Sequence, residues 1–99
     1  MISHVVLLQP KAETTTQEME MALNHVQEMQ EQISGITTIE TGKNLSGNHK
    51  GYEYGFIIRF ANETLFREYA PHPAHQPVSK ELQRICQGII DFDIQTKEE

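Results

Sequence analysis

Residues 2–8 are apolar on both of the faces that a strand would present. Compact, rich in β-branched side chains and stopped by Pro10, which has no N–H to give a sheet ladder, they predict a strand. Alternation puts Ile2, His4, Val6 and Leu8 on one side and Ser3, Val5 and Leu7 on the other. A strand without a polar face belongs in the middle of a sheet, with helices over one side and something else over the other. The rest of the chain has to supply both covers.

Helices come from two regions. Thr15 and Glu18 have the spacing of a capping box, and Met19, Ala22, Val26, Met29 and Ile33 follow in steps of three and four. Gly35 stands where a left-handed residue closes such a helix. Met19, Met21 and Met29 read as gap-filling packing. Asn62 predicts the N-cap of a short second helix carrying Leu65, Phe66 and Tyr69. Pro71, Pro73 and Pro77 interrupt it, and Val78, Leu82, Ile85 and Ile89 restore helical spacing.

Three more strands complete the set. Residues 36–45 and 52–61 alternate with period two around the polar, glycine-bracketed loop 46–51, which predicts a hairpin. Residues 89–94 set Ile90, Phe92 and Ile94 against Asp91 and Asp93, a final strand whose aspartates are expected to face solvent. Residues 96–99 read as a frayed tail.

Strand, helix, strand, strand, helix, strand is the βαββαβ order of an α+β, ferredoxin-like domain: an antiparallel four-stranded sheet with its helices on one face. At 99 residues the chain has room for one such domain, 1–99. The face expected to stay uncovered is that of His4, Val6 and Leu8 with one side of the hairpin, too large an apolar patch for a monomer. Two such sheets facing each other bury it, so the expected assembly is a homodimer, a dimeric α+β barrel whose shared interior holds any ligand site.

Charge excludes other partners. Eight Lys and Arg stand against fourteen Asp and Glu, and the basic residues are scattered, so no stripe exists to neutralise the phosphates of nucleic acid or anionic lipid. No apolar run is long enough to span a bilayer, and the N-terminus lacks the layout of a signal peptide, so the expected compartment is cytoplasmic. The single cysteine, Cys86, excludes a disulfide within the chain and falls in an apolar rhythm with Leu82, Ile85 and Ile89, as a small buried hydrophobe would.

Chemistry concentrates in Tyr69-Ala70-Pro71-His72-Pro73-Ala74-His75-Gln76-Pro77. Two histidines three apart, stiffened by prolines, with a tyrosine six before the second, bring neutral-pH acid/base groups close together. Together with His4 in Ser3-His4-Val5-Val6-Leu7-Leu8, Gly42-Lys43 after the second strand and Gly51-Tyr52 before the third, this motif resembles the stress-responsive A/B barrel family, often called Dabb. The resemblance runs over nearly the whole chain, and its most specific part is the His-Pro-Ala-His run with its upstream tyrosine.

Most of that family has no assigned reaction. One plant member closes a linear polyketide into an aromatic acid without metal or cofactor, and the resemblance carries its catalytic pair onto Tyr69 and His75 and its first-strand histidine onto His4. It implies that His75 takes a proton α to a carbonyl, that Tyr69 orients base or substrate, and that His4 lines a ligand cavity for a small hydrophobic carbonyl compound. A pocket tyrosine of that member falls on Val26 here, which leaves the substrate open. His72 is a further candidate for ligand contact, with bracing of the turn as its alternative.

No metal or cofactor is expected: His72 and His75 have ligand spacing but no defined third ligand. His25 and His49 read as exposed, and Arg59 and Arg67 as solvated or ion-paired. Two other readings stand beside the enzyme: a non-catalytic binding or stress-protection dimer whose motif is structural, and, on fold analogy, a cofactor-independent monooxygenase.

Overall fold

The computed structural model describes residues 1–96. Its elements are β1 (Ile2–Pro10), α1 (Thr16–Gln32), β2 (Ile36–Lys43), β3 (Tyr54–Phe60), α2 (Glu63–Tyr69), α3 (His75–Ile85) and β4 (Cys86–Gln95). The helix starts follow local side-chain chemistry. Thr15 accepts from the Glu18 N–H while the Glu18 carboxylate accepts from the Thr15 N–H, a reciprocal capping box at α1. Asn62 accepts from the Leu65 N–H at 3.0 Å and opens α2.

The α1 helix stops one residue before the apolar pattern does. Ile33 is already extended, though its N–H still donates to the Met29 carbonyl and its side chain stays buried. Gly35 then takes φ +95°, open to glycine at little cost. A Cβ at position 35 would also stand 2.8 Å from the Leu65 side chain, so this turn and α2 are in close contact.

The four strands form one antiparallel sheet in the order β2-β3-β1-β4, which puts β1 inside it, as its two apolar faces require. One face carries the helices. Ile2, Val6, Leu8, Ile39, Phe56, Ile58 and Phe60 from the sheet are buried with Met19, Ala22, Leu23, Val26 and Met29 of α1 and Val78, Leu82 and Ile85 of α3. His25 is not a free surface residue: its Nδ1 lies 2.7 Å from Glu81 Oε1 and ties α1 to α3. Met21 is exposed rather than packed. Among the described residues no helix is long and apolar enough to cross a membrane.

The structure overturns the assignment of faces. His4 pairs with Ile58 on β3, so it shares the helix-covered side with Ile2, Val6 and Leu8, and the uncovered face is that of Ser3, Val5 and Leu7. An apolar pattern on both sides of β1 gave no signal of which side the helices choose. The same registers carry Ile57 and Arg59 of β3, and Ile90, Phe92 and Ile94 of β4, onto the uncovered face.

It follows that Asp91, opposite Val6, and Asp93, opposite His4, lie on the helix side, the reverse of the expected orientation. Helix α3 also ends earlier than its apolar spacing implied. Cys86, buried, is extended and begins β4, which takes Ile89 into the strand. Thr96 is tied down by its N–H, which donates to the Met1 carbonyl at 3.0 Å, and the rest of the expected tail lies outside the described residues.

Candidate functional site

The proline-rich segment between α2 and α3 forms a chain of short turns. The His72 N–H donates to the Tyr69 carbonyl and the His75 N–H to the His72 carbonyl, each at 3.0 Å. His72 Nδ1 accepts from the Ala74 N–H at 3.0 Å, which holds the turn in place of a side-chain N-cap on α3. His72 therefore braces the backbone, and it does not line the cavity described below.

His75, the first residue of α3, is held at Nδ1 by the Ala70 carbonyl at 3.0 Å. A carbonyl can only accept, so Nδ1 carries the proton and the neutral ring keeps its basic lone pair on Nε2. Burial pushes the His75 pKa below the usual imidazole value. The bond to Ala70 opposes this, and the nearby His4 and His72 add to it. The ring is thus neutral at physiological pH and ready to accept a proton.

Tyr69 packs directly on this ring, with centroids 4.4 Å apart. It is buried, touching His4 at 5.5 Å and Phe60 at 5.2 Å between centroids, and burial holds its phenol well above the ordinary tyrosine range. Such a phenol stays protonated and serves as a hydrogen-bond donor. Its hydroxyl makes no hydrogen bond to any described residue.

His4 reaches the same place from β1. Its Nδ1 lies 2.6 Å from Asp93 Oδ1, across the β1–β4 ladder, and its ring is 6.2 Å from that of Phe66. The carboxylate can only accept, so His4 Nδ1 holds a proton and Nε2 is the atom left for other partners.

His4, Tyr69, His75, Asp91 and Asp93 line one cavity of about 410 Å³, with Phe66, Arg67, Ala70 and Ser79 completing its wall. It lies between the helices and the sheet of a single protomer, not in the interior that two facing sheets would enclose. The expected location depended on His4 facing away from the helices. Val26, the position on which the plant member's pocket tyrosine falls, is fully buried in the core and is not among the residues that line the cavity. Among the described residues no group of three or more His, Cys, Asp or Glu is arranged to hold a metal ion.

Asp91 and Asp93 are the site residues that sequence reasoning missed. Pairing β1 with β4 in register would have found them, because only that register sets Asp93 opposite His4. Arg67 also lines the cavity, with its guanidinium held by Glu63.

A four-stranded ferredoxin-like sheet, apolar on its uncovered face and with a tyrosine–histidine cavity beneath its helices, defines an α+β class whose solved members include dimeric proteins. The sequence model of the stress responsive A/B barrel domain matches residues 2–96, and the chain belongs to that family.

Among solved structures, a dimeric ferredoxin-like protein of unknown function from Jannaschia sp. CCS1 is 26% identical, with a TM-score of 0.85 over 96% of this chain and 98% of that one. A Dabb family protein from Mesorhizobium loti is 22% identical, with a TM-score of 0.82 over 98% and 97%. The hydroxynitrile lyase of Passiflora edulis shares the fold at 15% identity, with a TM-score of 0.88 over 99% and 94%. No curated protein matches the sequence.

Proposed function

We propose that the protein is a homodimer that binds a small hydrophobic carbonyl compound in the cavity of each protomer and carries out cofactor-free acid/base chemistry on it, of cyclase or lyase type. The observation that carries this reading is the contact of Tyr69 with a neutral His75 on the cavity wall. His75 Nε2 takes the proton from the carbon α to the carbonyl. The Tyr69 phenol donates to the carbonyl oxygen as negative charge develops on it. His4, oriented by Asp93, lies beside both and lines the ligand volume.

The homodimer is supported by the apolar uncovered face and by the dimeric state of the relatives. Lyase-type chemistry is supported by the Passiflora edulis enzyme, whose fold this is. A binding dimer with a purely structural motif is the second reading, and it draws on the Ala70 carbonyl, which accepts from both His75 Nδ1 and Gln76 Nε2 and so secures the start of α3.

The deciding measurement is hydrogen–deuterium exchange at the α-carbon of an aryl ketone in D₂O, followed by NMR, because it reads the proton transfer without knowledge of the natural product. Wild type exchanges the α-hydrogens above buffer rate, while His75→Asn and Tyr69→Phe lose roughly 10²- to 10⁴-fold. Wild-type exchange no faster than buffer, with both variants merely less stable, assigns the motif to the structural reading.

A further inference from the structure

Nothing inside one protomer calls for a glycine at position 42. Gly42 is the second-last residue of β2, its φ is not positive, and a Cβ built on it meets no atom within 4 Å. A glycine in a strand gives up packing and backbone order, and it often marks a bulge, a bend or a close approach from outside. The β2–β3 pairing runs from Thr38 to Lys43 without a shift, so Gly42 sits at no bulge. Its neighbour Gly55 differs: a Cβ there would stand 2.7 Å from the Val6 carbonyl oxygen, so β1 itself demands that glycine.

The ladders align Gly42 with Gly55, Gly55 with Leu7 and Leu7 with Ile90, one row across all four strands on the uncovered face. Half of the row is bare and half is bulky. The two glycines belong to a depression of about 320 Å³ bordered by Val5, Leu7, Glu40 and Ile57, while Ile90 stands 44% exposed on β4. Glu40 and Arg59 on the same face are paired with each other, so neither calls for a charged partner.

A face that carries both hole and knob is complementary to a second copy of itself. In a two-fold interface, whatever one residue contacts on the partner is contacted in return. An axis along the strands lays the partner's row over this one in reverse order, with the partner's Ile90 over Gly42 and the partner's Leu7 over Gly55. An axis across the strands instead lays the row over its counterpart of Thr38, Arg59, Ser3 and Ile94, which sets glycine on threonine and isoleucine on isoleucine. Facing sheets lie about 10 Å apart and fill that space by interdigitation, which favours small against large. The first axis also brings each β2 edge to the partner's β4 edge, covering both open edges of the sheet.

We infer that Gly42 is a socket for Ile90 of the partner subunit, and that this contact, made twice, sets the register in which two copies of the chain face each other. The inference rests on the proposed homodimer and names the residues that align it. The socket is built by omission, so any side chain at position 42 is tolerated by its own protomer and opposed by the other.

The test is sedimentation equilibrium of wild type, Gly42→Ala, Gly42→Leu, and Gly42→Leu combined with either Ile90→Ala or Ile94→Ala. Gly42→Leu raises the dimer dissociation constant at least about tenfold, as overpacking a filled contact twice over implies. Gly42→Ala gives a smaller loss, about threefold, and keeps the test open should the leucine variant fold poorly. Adding Ile90→Ala to Gly42→Leu removes the clash and recovers the dissociation constant to within about threefold of wild type, whereas adding Ile94→Ala recovers nothing.

Association of both single variants within twofold of wild type overturns the inference. So does a Gly42→Leu defect that Ile90→Ala fails to relieve, or one that Ile94→Ala relieves equally, which assigns another register. If wild type sediments as a monomer throughout, the homodimer reading itself falls and the inference with it, an outcome distinct from a dimer indifferent to position 42.

Discussion

Replacing Phe92 by alanine tests the assembly. In one protomer Phe92 is 46% exposed on the face formed with Val5, Leu7, Ile57, Ile90 and Ile94. Full burial of a phenylalanine side chain is worth roughly 1.5–3 kcal/mol, so the part still open stands to contribute about 0.7–1.5 kcal/mol when a second sheet covers it. A two-fold interface uses the residue twice, which gives about 1.5–3 kcal/mol per dimer. At about 1.4 kcal/mol per decade, Phe92→Ala raises the dimer dissociation constant roughly 10- to 150-fold. Sedimentation equilibrium over a concentration series reads this directly. Met21→Ala, an exposed apolar residue of α1 on the opposite side of the molecule, leaves association unchanged. A Phe92→Ala variant that associates within twofold of wild type refutes the assignment of this face.

Three further outcomes follow from the site and its support. Folded His75 binds its proton less readily than the unfolded chain, so stability is unaffected by this group well above the ordinary value of 6.5 and falls as the pH drops through it. The groups around it are His4, His72, Tyr69, Asp91 and Asp93, and calorimetric melts of His75→Asn show a shallower acid limb than wild type. Tyr69 ionises late in an alkaline ultraviolet titration because burial holds its phenol protonated, and Tyr69→Phe removes that late step. Phe60→Ala empties a site with no exposure, against which Tyr69 and Phe66 both pack edge-on, and costs about 3–5 kcal/mol by urea unfolding.

The order of elements was legible because each carries its own local signal. The capping box at Thr15 and Glu18, the cap at Asn62 and the interior place of β1 follow from side chains and strand pattern alone. The orientation of faces was not. Val5 and Leu7 are as apolar as Val6 and Leu8, so nothing local to β1 says which set meets the helices.

In β4 the usual rule inverts. The apolar set Ile90, Phe92 and Ile94 faces away from the helices, and the aspartates face the cavity. An alternating strand is read as apolar-in and polar-out only when the molecule has one inside. Tyr69 and His75 were legible as a pair through the motif. Their tautomer and donor states were not, because these depend on the Ala70 carbonyl and on burial by Phe60 and His4.

The contact between Gly35 and Leu65 reaches further than the turn it closes. Leu65 belongs to the same short helix that ends in Tyr69, so any side chain at position 35 must push that helix away or leave its own backbone strained. Random mutagenesis selected for activity would therefore return glycine at 35, while selection for folding alone would accept small residues with a shifted α2. On the proposed function, a position outside the cavity lining is thereby tied to the placement of Tyr69 as well as to the fold.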